Sequence, residues 1–227
     1  MTRKAPAATI RPLSRGGPPG YGHDLHVDPA RTAVVIVDVQ RFFVDAMPFE
    51  AMRRAIAPIA RFLPTARASG MTVVHVKSEF RADMADAGRP GSRTRQMMDS
   101  VGQGLVRGGQ GADIVPELTP QPEDLVVVKR RFSGFVDTDL HALLSARRTE
   151  TLLFTGGTTT VCVESTLRDA VFRDYNPVLL SDCTADMSDE LHASAVARID
   201  MFFGWVCTSV ELAAMLAPDS AGIRAAS

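Results

Sequence analysis

Residues 151–170, TLLFTGGTTTVCVESTLRDA, run from an apolar segment through two glycines and a set of threonines into a helical pattern. The first part has the β-branched and aromatic character of a buried strand, and the glycines mark a turn. In the last part Val163, Leu167, Ala170 and Val171 share one helical face, while Glu164, Arg168 and Asp169 point elsewhere. The stretch therefore reads as strand, loop and helix, with Cys162 at the junction. Free N–H groups and the positive dipole end at a helix start favour an anion there. They are expected to lower a thiol pKa that is ordinarily about 8.5 and to make Cys162 a nucleophile.

The same grammar repeats on both sides. TAVVIVDV, MTVVHVKS, DLVVVKR, TLLFTGG, PVLLSD and WVCTSV are apolar runs separated by amphipathic stretches. Continuous apolar strands alternating with helices imply a mostly parallel sheet covered on both faces, hence a three-layer α/β domain. Residues 49–69 are helical in composition, but Pro58 and Pro64 predict a break or restart near Ala57, with Gly70 ending the segment. Residues 163–174, 189–203 and 209–216 read as later helices. Residues 1–30 lack apolar period and are expected to be an arm, mobile or lying across a neighbour, before a single domain over 31–227. Residues 81–122, rich in Gly, Arg and Met, read as a long loop serving as a lid or a subunit contact. GGQG at 108–111 has no convincing strand before it or helix after it, so it reads as loop and not as a dinucleotide site.

Bulk properties narrow the function. The 227 residues are 45% hydrophobic, which suits one large core, and a formal charge of −1 gives no field that recommends nucleic acid or an anionic membrane. A small-molecule partner is expected. No apolar run is long enough to span a bilayer and the basic N-terminus lacks a secretory apolar segment, so the expected location is cytoplasmic. The three cysteines form no CxxC and are odd in number, which fits a reducing compartment. Cys183 and Cys207 read as core residues, and His75, inside an apolar strand, as a satisfied core histidine. His23, His26, His141 and His192 have no metal spacing, and His192 is expected to face solvent from its helix.

Parallel α/β sheets place their ligand crevice beyond the carboxyl ends of the strands. Three reactive side chains occupy such ends: Asp38 closes VVIVD, Lys129 closes VVVK, and Cys162 follows LLFTGGTTTV. A partly desolvated Asp38 would serve as the base for the thiol proton, and Lys129 would support the anions around it.

These residues resemble the isochorismatase-like cysteine hydrolases, which carry Asp, Lys and Cys in this chain order. The family's DxQ appears as Asp38, Val39 and Gln40, its lysine as Lys129, and its GxxTxxCVxxTxRDA signature at 156–170. KRRFSGFVDT, CVESTLRDA and FFGWV look most like the ureidoacrylate amidohydrolases, then like biuret hydrolases and N-carbamoylsarcosine amidases. Arg130, Arg131 and Phe132 stand where the ureidoacrylate pattern has Pro-Arg-Tyr. The resemblance implies a Rossmann-like six-stranded sheet in the order 3-2-1-4-5-6. It also implies a catalytic triad of Asp38, Lys129 and Cys162, and a cis peptide between Gly157 and Thr158. Backbone N–H groups of Thr158 and Cys162 would form the oxyanion hole. Gln40, Phe43, Arg131 and Thr159 would contact substrate, with plain core packing as the alternative for Phe43. The implied reaction is hydrolysis of a ureido, carbamoyl or amide C–N bond through a thioester-type intermediate, with no metal and no other cofactor. The residues 79–84, EFRADM, lack the DxH metal motif of the related nicotinamidases. Relatives are commonly homo-oligomers, so a dimer or tetramer is implied. The alternatives are vinyl ether hydrolysis of the isochorismatase type, whose members lack the cysteine, and a non-catalytic interaction subunit on the same fold.

Overall fold

The runs of β-branched residues form the central layer. In the computed structural model, which describes residues 8–12, 23–46 and 50–217, the sheet strands are β3 (Thr32–Val37), β4 (Thr72–Ser78), β5 (Leu125–Lys129), β6 (Thr151–Gly157), β7 (Asn176–Ala185) and β8 (Trp205–Cys207). They follow β1 (Ala8–Ile10) and β2 (Leu25–Val27), a separate antiparallel pair. The sheet order is β5-β4-β3-β6-β7-β8 with every neighbour parallel. Counting the six sheet strands alone in chain order, that is 3-2-1-4-5-6, as the resemblance implied.

Alternation along each strand feeds two apolar layers. Val34, Ile36, Val73 and Leu153 pack against α1 (Glu50–Ala68) and α6 (Ser209–Leu216). Ala33, Val35, Val37 and Val74 pack against α3 (Leu140–Ala146) and α4 (Glu164–Val171), with Ile199 at the end of α5 (Asp189–Arg198). Between β4 and β5 the chain builds α2 (Arg93–Val101) and several short turns over a third cluster of Phe80, Met84, Met98 and Leu105. Residues 81–122 are thus a folded wall with its own apolar core, not a bare loop.

Two expectations are corrected here. The helix α1 is continuous through Pro58 and Pro64. Its apolar stripe, including Met52, Ile56, Ile59, Phe62 and Leu63, is buried on the sheet, while Pro64 is exposed and Pro58 half-buried on the outer side. Lost backbone bonds on that side are open to water, and burial of the opposite face outweighs their cost. The described parts of residues 1–30 are not a loose arm. Ala8, Ile10, Leu25 and Val27 are buried in the domain's own core, and the Trp205 indole donates to His23 O at 2.8 Å.

Candidate active site

The carboxyl ends of β3, β4, β5 and β6 converge on one cavity, lined among others by Asp38, Ser78, Lys129, Gly157, Thr158 and Cys162. Asp38 follows β3 directly and has φ +52°, a left-handed conformation sparsely used by residues with a Cβ. Its N–H donates to Val76 O at 2.9 Å, so the neighbouring strand holds it there. Gly156 has φ +97°, and a Cβ at that position would meet Val37 O at 2.1 Å. Only glycine lets β6 approach β3 this closely just before the cysteine loop. The Gly157–Thr158 peptide is cis.

Lys129, only 1% exposed, is the hub of the site. Its Nζ lies 2.7 Å from Asp38 Oδ2, and donates to Ser78 Oγ at 2.9 Å, Arg131 O at 3.2 Å and Cys162 Sγ at 3.5 Å. Ser78 Oγ in turn donates to Asp38 Oδ1 at 2.9 Å. Burial opposes the charge on Lys129, but attraction to Asp38 and Cys162 more than offsets it, and the net pKa is raised.

Cys162 does not sit on a helix start of ordinary geometry. Residues 159–163 form one wide turn in which Val163 N–H reaches back five residues to Thr158 O at 3.2 Å, and α4 begins only at Glu164. The turn is tied down from outside. Thr160 N–H donates to the buried Asp186 Oδ2 at 2.6 Å, and Thr166 Oγ1 donates to Cys162 O at 2.7 Å. Cys162 is half-buried at the cavity wall, and its thiol pKa is pushed up to about 12. Burial is the main cause. Lys129 favours the thiolate, while Asp38 opposes it by charge and as a hydrogen-bond partner of the thiol. The expectation of a lowered thiol pKa is therefore corrected: burial, together with the Asp38 carboxylate, outweighs the attraction of Lys129.

Of the implied substrate contacts, Phe43 and Arg131 line the cavity. Gln40 does not. It is fully buried, with Nε2 donating to Ser78 O at 2.8 Å and Ala112 O at 2.9 Å, and Oε1 accepting from Ser78 N–H at 2.8 Å. It braces the end of β4 against residues 110–112, with both amide hydrogens and one oxygen lone pair already engaged there. Thr159 is likewise buried away from the cavity, its hydroxyl 3.0 Å from His192 Nδ1. That contact also corrects His192, which is half-buried against the cysteine turn. His75 is buried, but it is not satisfied as expected. Among the described residues its ring nitrogens make no hydrogen bond, and Nε2 lies 3.4 Å from Asp124 Oδ2.

Sequence reasoning missed Ser78 and Asp186. Ser78 closes its strand as Asp38 and Lys129 follow or close theirs, and that position was the available signal. Asp186 lies beyond the end of β7, one residue past Ala185, and nothing in its local pattern marks it. Glu164, expected to point away from the core, is buried and paired with Arg168 and Arg198. Among the described residues no group of three His, Cys, Asp or Glu could hold a metal ion, and no helix is long and apolar enough to cross a membrane.

Known proteins are similar to this chain over most of its length. A ureidoacrylate amidohydrolase, RutB, of Rhizobium rhizogenes is 37% identical over 209 residues, covering 84% of this chain and 85% of that protein. One from Variovorax paradoxus is 34% identical, covering 97% of this chain and 96% of its own length. The crystal structure of a cysteine hydrolase from Pseudomonas syringae superposes with a TM-score of 0.79 at 31% identity, over 84% of this chain and 94% of that one. The isochorismatase domain model matches residues 32–211. That span runs from β3 into α6 and takes in every strand end that meets at the cavity, so the chain belongs to the isochorismatase family.

Proposed function

We propose that this protein is a cysteine amidohydrolase that cleaves a ureido, carbamoyl or amide C–N bond of a small molecule, most like the ureidoacrylate amidohydrolases. The observation that carries this reading is Lys129 Nζ, within 2.7 Å of Asp38 Oδ2 and 3.5 Å of Cys162 Sγ at a cavity. With the thiol protonated at rest, the sulfur attacks the carbonyl carbon as Asp38 takes its proton. Lys129 keeps its charge throughout and offsets the negative charge as it passes between carboxylate and sulfur. The Thr158 and Cys162 N–H groups on the cavity wall are the donors for the tetrahedral oxyanion. Collapse breaks the C–N bond, and the departing nitrogen takes the proton from Asp38. Water then gives a proton to Asp38 and attacks the S-acyl carbon, releasing the acid and returning the thiol.

Phe43 and Arg131 are the substrate contacts of this proposal, Arg131 for a carboxylate. A single hydrolase domain over 31–227, a cytoplasmic location and a homo-oligomer, dimer or tetramer, belong to the same reading. Free Cys162, Cys183 and Cys207 fit a reducing compartment, and the exposed Phe172 and Phe202 fit a subunit contact. Vinyl ether hydrolysis and a purely binding role are disfavoured because neither needs a thiol beside a buried ion pair. The test is Cys162→Ala, which is expected to fold and to lose turnover by about 10,000-fold or more. Wild-type protein quenched during turnover should carry an S-acyl or S-carbamoyl adduct on Cys162 by mass spectrometry. Hydrolysis by the variant at the wild-type rate would end the nucleophile assignment.

A further inference from the structure

The cavity has two unlike ends. At the sulfur, the polar side chains already serve one another: Ser78 Oγ donates to Asp38 and accepts from Lys129, and Lys129 also reaches Arg131 O and Cys162. Away from the sulfur the wall is Phe43, Phe80, Met98, Val101, Leu105 and Phe132. Among the described residues Arg131 is the one charged side chain on the wall outside the triad. Its Nη1 already donates to Arg130 O at 2.6 Å and Asp86 O at 3.2 Å. At the rim Met97 is 40% exposed and Met187 53% exposed, so apolar surface faces water where a bound molecule would cover it.

A polar substituent placed against this wall loses its water and finds few donors or acceptors, whereas an apolar one gains burial. The wall is also adaptable, since methionine side chains reshape more readily than branched ones. We infer that the substrate of this site carries an apolar body, a branched alkyl or aryl group, on the part of the molecule remote from the reacting carbonyl. This rests on the amidohydrolase reading above and names the substrate class within it. Among ureido acids, those with a longer apolar body are then turned over better than those without one, with the helix α2 wall setting the preference.

The test uses the full chain and a graded series: N-carbamoylglycine, N-carbamoylleucine, N-carbamoylphenylalanine and, as a polar counterpart of similar size to leucine, N-carbamoylglutamine. Ammonia release is measured for kcat/KM. The leucine and phenylalanine compounds should exceed the glycine compound by about 10-fold or more, and the glutamine compound should fall about 10-fold below leucine. In Val101→Asn, half-buried on the wall, the leucine-to-glycine ratio should drop about 5-fold. A flat series, or faster turnover of the small or polar members, overturns the apolar-body inference while leaving the C–N hydrolysis intact. No hydrolysis of any member and no adduct on Cys162 overturns both. An unchanged ratio in Val101→Asn, with its folding verified by thermal melting, overturns the assignment of the preference to this wall.

Discussion

Two buried aspartates sit at opposite ends of the same sheet, each beside a cation, and they are put to different uses. At the amino end Asp124 is braced by donors: Arg67 donates through Nε at 3.3 Å and Nη2 at 2.6 Å, Gln121 N–H donates at 2.9 Å, and the His75 ring lies at 3.4 Å. Burial opposes its charge, but these donors prevail and the carboxyl is held below its ordinary range. At the carboxyl end Asp38 has Ser78 and Lys129, and its remaining neighbour is a thiol at a cavity. A carboxylate fixed by a guanidinium and a backbone N–H holds a fold together. One that is left next to an exchangeable proton can do chemistry, and the difference lies in the neighbours rather than in the ion pair itself.

Of the changes at these two clusters, the largest effect is expected from removing the Asp38 charge. Asp38→Asn should lower kcat by about 100- to 10,000-fold, the range for removing a general base. The same change removes the charge that raises the Cys162 pKa and leaves Lys129 to favour the thiolate. Alkylation of Cys162 by iodoacetamide at pH 7 should therefore become faster than in wild type as turnover collapses. Slower alkylation in the variant would mean that Asp38 helps form the thiolate at rest, and the contrast drawn here would fail.

Cation removal separates the two ends next. Lys129→Met strands Asp38, which is 2% exposed, with Ser78 and the Cys162 thiol as its remaining partners, so a loss of about 3–5 kcal/mol is expected along with activity. Arg67→Met leaves Asp124 beside His75, which can take up a proton and replace the missing charge. The Arg67 charge lowers the His75 pKa and Asp124 raises it, so the exchange runs in that direction. A smaller loss of about 1–3 kcal/mol with kcat retained is expected, read by urea unfolding and ammonia release. Equal losses at both ends would contradict the compensation.

The carboxyl-end half of this contrast is legible in the sequence, while the Asp124 cluster leaves no mark there. The three strand-end residues Asp38, Lys129 and Cys162 were visible because apolar runs stop abruptly at reactive groups, and strand order followed from family likeness. What escaped depends on distant packing. The continuity of α1 through Pro58 and Pro64 comes from the sheet beneath it, and the seating of Ala8, Ile10, Leu25 and Val27 from α6 and β8, neither of which leaves a local mark. The thiol pKa was misjudged for the same reason. Helix-start chemistry is local, whereas the burial that dominates Cys162 is assembled from segments far apart in the chain, including the wall that follows β4. Gln40 shows the converse: a residue in a recognised motif, it turned out to brace β4 and not to line the cavity.

The smallest predicted effect separates the two ends by pH alone. Burial lowers the His75 pKa below 6.5, with Asp124 pulling the other way and Arg67 adding to the depression. An unfolded chain then binds a proton below pH 6.5 that the folded chain refuses, so stability falls as pH drops through that value, by at most about 1.4 kcal/mol per pH unit for one such group. His192, also lowered mainly by burial, contributes in the same window and the same direction. Lys129, raised by its partners, contributes stability that is lost only above its ordinary value of 10.5, so it is silent here. Melting temperatures between pH 7 and 5 should fall in wild type, by about 2–4 °C for each kcal/mol, and fall less steeply in His75→Gln. His192→Gln should remove a separate share. A pH slope in His75→Gln identical to that of wild type would show that the amino-end cluster does not titrate as a buried neutral histidine, and that its aspartate is held by Arg67 alone.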